Sequence, residues 1–295
     1  MLTFKKIELS DRKWIEERLE QSDYRSCEYS FVNNFIWSEA NHIEFTDING
    51  YYCMKSMWEG REVYTFPAGA GDIRPVVEEL MQDAKERGIN FHLRGMVEEA
   101  VKKMEAAFPG EFDYIPHRDE CDYIYSTEKL RTLSGKKLHG KRNHIARFKD
   151  NSDWQYETIT KDNIGECFKM NQEWCKIYSC SEDPSLNHEL CAVKAAFDYF
   201  FELGLAGGLL RREGKVIAYS MGEALNSDTF VVHIEKAFAD IQGAYPMMNQ
   251  QFVLNNCLDF KYVNREEDLG EEGLRKAKLS YYPELLLEKY SLRRK

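Results

Sequence analysis

A histidine and a glutamate two residues apart, His233 and Glu235, interrupt the apolar run Thr229-Phe230-Val231-Val232-His233-Ile234-Glu235-Lys236-Ala237. Side chains alternate across a strand, so strict alternation predicts Phe230, Val232 and Ile234 on one face and Thr229, His233 and Glu235 on the other. A carboxylate and an imidazole on one face of a mid-sheet strand make a polar cleft. Glu235 could there take a proton from an attacking amine, with His233 orienting or relaying it. The competing reading is a salt-bridged polar face with no chemistry. The stretch from Asn264 to Pro283 mixes acids, bases and two glycines. Glu271 and Glu272 early in a helix, with Arg275, Lys276 and Lys278 later, suit the helix macrodipole. Glu271 with Arg275 and Glu272 with Lys276 make i,i+4 pairs, so an ordinary surface helix explains much of this charge. It does not explain the polar loop ahead of that helix. A polar loop following a strand is a binding-site candidate, which brings in Asn264, Arg265, Glu266 and Asp268, with Arg275, Lys278 and Tyr281 reaching toward a substrate.

A third grouping is basic. From Lys129 to Lys149 the chain carries eight Lys/Arg and no Asp/Glu. On a helix beginning near Leu138, the residues Lys141, Arg142, Asn143 and Arg147 could clamp the phosphate of a tRNA end or of a cofactor, since the arginine fork gives two parallel hydrogen bonds. The alternative is a solvated basic face that pairs with acids elsewhere in the chain. Aromatics such as Tyr123, Tyr125, Trp154 and Trp174 read as core.

The whole chain bounds these readings. Its 295 residues are comfortable for two domains. Apolar residues at 43% and charged residues at 31% indicate a soluble globular protein. A net charge of −10 argues against general nucleic-acid binding, DNA included, so the basic run points to one local anionic partner. Eight cysteines are scattered without a Cys-x-x-Cys pair, and seven histidines are equally dispersed. The expectation is reduced thiols and no metal site. No apolar run is long enough for a membrane span or a signal peptide, so a cytoplasmic location is expected.

The elements that must hold these groups fall into two rhythms. The pattern predicts helices over 11–20, 29–40, 73–87 and 97–108, with strands at 42–46, 51–56, 62–66, 90–93 and 112–115. Asn49-Gly50 is a strong hairpin turn because both residues tolerate positive φ. After a strand at 122–125 come helical stretches at 127–133 and 138–148, a strand at 154–159, a helix over 162–177 and another opened by Asp183-Pro184. Strands at 206–212, 216–224 and 229–237 follow, then a helix over 245–257, a strand at 261–264, a helix over 271–278 and a final strand or helical turn at 284–290. Each half therefore reads helix, helix, antiparallel strands, helix, strand, with a division expected near residue 120 into domains 1–120 and 121–295.

With its basic run Lys141-Arg142-Asn143-His144-Ile145-Ala146-Arg147-Phe148 and its stretch Asn264–Pro283, the chain resembles the DUF2156 family, related to the C-terminal domain of phosphatidylglycerol lysyltransferase. The motifs that carry the resemblance lie between Asp122 and Pro283. It implies an α+β, tandem GNAT-like fold, two mixed sheets flanked by helices, with the central strand of the second sheet running along an acyl-transfer site. It also implies an acyl- or aminoacyltransferase that uses an aminoacyl-tRNA or acyl-CoA donor and a small-molecule or aminoacyl acceptor, with the tRNA acceptor end as a candidate partner. Acetyl-CoA members of that superfamily carry a Gln/Arg-x-x-Gly-x-Gly/Ala turn. Here Asp240 and Tyr245 depart from it around Gly243, which favours aminoacyl-tRNA over CoA. The alternatives are an acetyl-CoA-dependent N-acetyltransferase and a non-catalytic binding protein on the same fold.

Overall fold

The computed structural model describes residues 1–150 and 153–295, and these form two compact units. The first comprises Met1–Asp122, Glu267–Glu271 and Leu286–Lys295; the second comprises Tyr123–Glu266 and Glu272–Leu285. Both are built on a seven-stranded sheet. In the first sheet the order is Lys5–Lys6, Glu44–Ile48, Tyr51–Trp58, Arg61–Thr65, Leu93–Met96, Tyr290–Arg294, Phe112–Pro116. In the second it is Trp154–Thr158, Ala206–Arg212, Lys215–Ala224, Thr229–Ala237, Tyr262–Asn264, Asp122–Ser126, Leu285–Leu287.

The two orders are the same construction. Four strands run antiparallel, the fourth and fifth pair in parallel (Arg61–Thr65 with Leu93–Met96; Thr229–Ala237 with Tyr262–Asn264), and the sixth place is antiparallel to the fifth. A parallel pair needs a crossover. The helices Arg74–Arg87 and Ala244–Asn256 supply it. These are the two mixed sheets flanked by helices of the tandem GNAT-like, α+β class.

The sixth place is where the chain departs from a simple division into 1–120 and 121–295. The first unit fills it with Tyr290–Arg294, which pairs with Leu93–Met96 on one side and Phe112–Pro116 on the other. The second fills it with Asp122–Ser126, the strand that follows the first unit's main body. The expected last element at 284–290 is instead two strands, Leu285–Leu287 and Tyr290–Arg294. Ser291 and Leu292 are both buried although they are neighbours, so a strand packed on both faces gives no alternation to read.

Local chemistry explains individual elements in both units. The Asn49-Gly50 turn forms as expected, with φ of 53° and 81° between the directly paired Ile48 and Tyr51. Asp183 caps the helix Pro184–Asp198 by accepting from the Ser185 and Leu186 amides. The helix Ala244–Asn256 begins at Gly243, whose φ is 89°. A Cβ there would meet the carbonyl oxygen of His144 and Cβ of Phe148, so glycine lets this helix start lie directly on the helix His139–Asp150.

The expected alternation along Thr229–Ala237 breaks. Ile234 pairs with Met221 and Val232 with Gly222, which leaves His233 as an extra residue in a β-bulge. Phe230 packs edge-on against Phe252, while Glu235 accepts from Asn249 at 3.1 Å. Asn249 and Phe252 are one turn apart on the helix Ala244–Asn256. Phe230 and Glu235 therefore lie on the same face, not on opposite faces, because the bulge shifts the pattern by one residue. Gly222 is required beside the bulge, since a Cβ there would run into the Val231 carbonyl. Among the described residues no helix is long and apolar enough to cross a membrane.

Candidate functional site

The second unit brings part of the expected set together around Glu235. Arg265, just past the strand Tyr262–Asn264, donates from Nη2 to Glu235 Oε1 at 2.7 Å, and Asn249 Nδ2 donates to Oε2. Both ends of the ion pair are nearly buried, at 12% and 11% exposure. The guanidinium lies against Tyr125 and Tyr281, 5.6 and 4.9 Å from the ring centroids. Lys141, on the helix His139–Asp150, places its ammonium 3.9 Å from the Tyr281 centroid. Burial, and then the charge of Arg265, pull the Lys141 pKa down to about 8, against the opposing pull of Glu235. Lys278 is buried and donates from Nζ to the Arg265 carbonyl at 2.6 Å, while Tyr125 donates from its hydroxyl to the Lys278 carbonyl at 2.8 Å. Lys278 thus positions the backbone that carries Arg265. Two buried atoms in this cluster, Arg265 Nη1 and Asn249 Oδ1, make no hydrogen bond among the described residues. Buried polar groups are rarely left in that state.

His233 is held apart from Glu235. Its Nδ1 lies 2.8 Å from Glu266 Oε1 and its Nε2 lies 3.2 Å from Glu223 Oε1, with the side chain 2% exposed. Burial pushes its pKa down, but the two carboxylate hydrogen bonds outweigh burial and raise it to about 9 from an ordinary 6.5. A ring with both nitrogens held by acids stays an imidazolium at neutral pH, so it suits a fixed positive brace better than a relay. The sign of its linkage follows. The folded-state pKa is raised, so its stabilisation is fully present below about pH 6.5 and is lost as pH rises through about 9. A shift of this size corresponds to roughly 3 kcal/mol. Urea unfolding at pH 6 and pH 9.5 should show a loss of that order in the native protein, and His233→Asn should flatten it; an equally steep loss in the variant would remove His233 from the account.

The remaining expected residues are dispersed. Arg142 donates from Nη1 to the carbonyls of Leu133 and, at 2.8 Å, Gly135. It closes the end of the short helix Thr127–Thr132 instead of facing outward as a fork. Asn143 pairs with His139 at 3.1 Å, and Asn143 and Arg147 are exposed on their helix. Asn264 is buried and its side-chain oxygen accepts from the Glu266 amide at 2.6 Å. Arg275 is half-buried on the helix Glu272–Leu279. Asp268 belongs to the first unit, where it accepts from the Gly270 amide at 2.9 Å and from Arg118 at 3.2 Å. Asn249 and Tyr125 were not among the expected site residues. Asn249 is one of several Asn and Gln side chains on its helix and Tyr125 lies in a core strand, so neither stands out until the chain is folded.

The first unit holds a second ionic cluster that spacing does not suggest. Lys289, fully buried, lies 2.8 Å from Asp122 and from Glu28, 3.4 Å from Cys27 Sγ and 4.0 Å from Glu267. Cys27, Asp122 and Glu267 could in principle offer three ligand atoms within 4.8 Å of one another to a metal. The Lys289 ammonium already lies among these atoms and compensates the carboxylates. Burial pulls the Lys289 pKa down, but the surrounding acids raise it well above its ordinary value. Burial raises Asp122, and Glu267 and Glu28 add to that against the pull of Lys289.

Comparison with known proteins gives the family and the fold. Residues 19–293 match the family described as phosphatidylglycerol lysyltransferase, C-terminal. The chain belongs to this family. A crystal structure of a conserved protein of unknown function from Bacteroides thetaiotaomicron VPI-5482 is 40% identical over 100% of both chains, with a TM-score of 0.95. The DUF2156 C-terminal domain of a protein named as a lysylphosphatidylglycerol synthetase, from Agrobacterium fabrum, shares the fold at 13% identity and a TM-score of 0.67, covering 96% of this chain and 91% of that one. L-PGS from Bacillus licheniformis does so at 16% identity and 0.64, covering 96% and 92%. An uncharacterized protein from Mycoplasmoides gallisepticum is 28% identical over 189 residues, 60% of this chain. The match spans 57% of that relative's length. Family and fold together make the chain acyltransferase-like.

Proposed function

We propose that the chain is an aminoacyltransferase, moving an aminoacyl group from an ester donor, aminoacyl-tRNA, to an amine or hydroxyl on a small acceptor. The transfer site in this reading is the cluster of Glu235, Arg265, Asn249, Lys141 and Tyr281. The observation that carries it is the pair of buried, unbonded polar atoms beside Glu235: a donor, Arg265 Nη1, and an acceptor, Asn249 Oδ1. An aminoacyl ester offers the complement, a carbonyl oxygen for the guanidinium and an amine for the amide oxygen. Glu235 takes the proton from the attacking group. Arg265 Nη1 stabilises the oxyanion of the tetrahedral intermediate, in a nearly dry setting where such a donor is worth most. Lys141, at about 8, is protonated in part of the molecules at neutral to mildly alkaline pH and can return a proton to the departing hydroxyl. The relatives named for lysylphosphatidylglycerol synthesis make lysyl and similar aminoacyl groups the first donors to try.

The preference for an ester donor over acyl-CoA is supported by the start of the helix Ala244–Asn256. Its entry carries Asp240, and Gly243 lies against the His144 carbonyl. A pyrophosphate would need free amides and no acid there. Calorimetry is expected to show no low-micromolar binding of acetyl-CoA, while lysyl-tRNA at about a hundredfold over its Kd should stabilise the protein against heat by about 2.7 kcal/mol. Tight acetyl-CoA binding without a response to any aminoacyl-tRNA would turn the assignment to an N-acetyltransferase. No response to either would favour a binding protein.

A further inference from the structure

The eight cysteines read from their spacing as unconnected thiols, yet the fold brings two of them together. Cys175 lies in the last turn of the helix Ile164–Ile177, and the chain reverses through Ser179, whose φ is 49°. The Cys180 amide then donates back to the Cys175 carbonyl at 3.0 Å, closing residues 175–180 into one compact turn. The two sulfurs are 2.7 Å apart. Cys180 is buried and Cys175 is half-buried, while Lys176, Ile177, Tyr178 and Ser179 around them are exposed. A reagent can therefore reach the outer sulfur, and the inner one is already in place behind it.

We infer that Cys175 and Cys180 form a redox modification site that closes to an intramolecular disulfide by exchange with a low-molecular-weight disulfide. One thiol, as thiolate, attacks the reagent's S–S bond. It forms a mixed disulfide and expels one reagent thiolate, which takes up a proton. The second cysteine, losing its proton, attacks the chain-side sulfur of that mixed disulfide and expels the second reagent thiol. The chain gives up two electrons and two protons; the reagent's disulfide becomes two thiols. Burial, and then the neighbouring Cys180, push the Cys175 thiol up to about 12, so closure is slow at neutral pH and quickens as pH rises.

The bridge would pin the turn between two helices that support the strand of Glu235. Trp174, beside Cys175, lies under the Lys236 ammonium at 4.2 Å, and Glu189 on the helix Pro184–Asp198 pairs with the same ammonium at 2.6 Å. The inference itself does not depend on the acyl-transfer reading.

The test uses the full chain carrying Cys191→Ser, which removes the exposed competing thiol on the next helix. The protein is equilibrated with oxidised glutathione at pH 8.5, free thiols are alkylated, and peptides are mapped without reduction. The expected result is a 175–180 peptide in which neither sulfur is alkylated and whose mass is lower by two hydrogens, with recovery of both thiols on reduction. Cys175→Ser and Cys180→Ser should each lose that product and leave the surviving cysteine alkylated or carrying one glutathione; if one variant folds poorly, the other reports alone. Full alkylation of both sulfurs in the parent chain, or separate glutathione adducts on each, would overturn the inference.

Discussion

Glu235→Gln should lower aminoacyl-transfer turnover by about 10²–10⁴-fold, the usual size of a general-base contribution. The substitution keeps the shape and an acceptor oxygen for Arg265 while removing the base. It also leaves a nearly buried guanidinium with a neutral partner, which should cost roughly 3 kcal/mol of stability, the low end for a broken buried ion pair. Turnover must therefore be read well below the variant's own unfolding midpoint, with circular dichroism confirming the folded state. Turnover of aminoacyl-tRNA by the native chain, followed with radiolabelled amino acid, sets the reference. Native-level turnover in the folded variant would remove Glu235 from the chemistry.

Lys289→Met should be the most destabilising single change away from that site. It removes the ammonium from a fully buried position between Asp122 and Glu28 and leaves carboxylates without their cation. Breaking one side of a buried ion pair in this way costs about 3–5 kcal/mol. Denaturant unfolding of the variant should show that loss, and adding Asp122→Asn should recover part of it, because the second change removes a buried negative charge that the Lys289 ammonium no longer balances. The pH dependence has a definite sign. In the native chain the raised Lys289 pKa stabilises at all pH values below its ordinary value of 10.5 and is lost only at more alkaline pH. In Lys289→Met the carboxyl of Asp122, whose folded-state pKa is already raised by burial, should make the protein more stable as pH falls toward the ordinary carboxylate range. A loss below about 1 kcal/mol, in the range of an exposed pair, would mean that the cluster is solvated.

How far the sequence foretold these sites depends on the kind of signal each part carries. The Asn49-Gly50 turn, the Asp183 cap and the helices over 73–87 and 245–257 are local, and local chemistry is enough to read them. The pairing of Glu235 with Arg265 rests on topology, because the strand after the crossover helix returns beside its predecessor. The orientation of His233 is not legible in the sequence, since one inserted residue in the strand reverses the alternation on which the reading rests, and that insertion is visible only against Met221 and Gly222 on the neighbouring strand. Arg142 looked like a phosphate clamp because its type and neighbours suited one; its hydrogen bonds to Leu133 and Gly135 depend on where the preceding helix ends. The Lys289 cluster joins residues that lie far apart in sequence and has no spacing to recognise.

The origin of each sheet's sixth strand bears on how the protein is made. The place between Leu93–Met96 and Phe112–Pro116 is filled by residues synthesised after the whole of the second unit. At ordinary translation rates of about 5–20 residues per second, that interval is on the order of tens of seconds. Throughout it two strand edges of the nascent first unit are open to pairing with any other chain, the situation in which unpaired edges promote aggregation. A gene fragment ending near residue 120 would prolong that state indefinitely, whereas restoring Tyr290–Arg294 as a separate peptide would offer the fragment its missing edge partner.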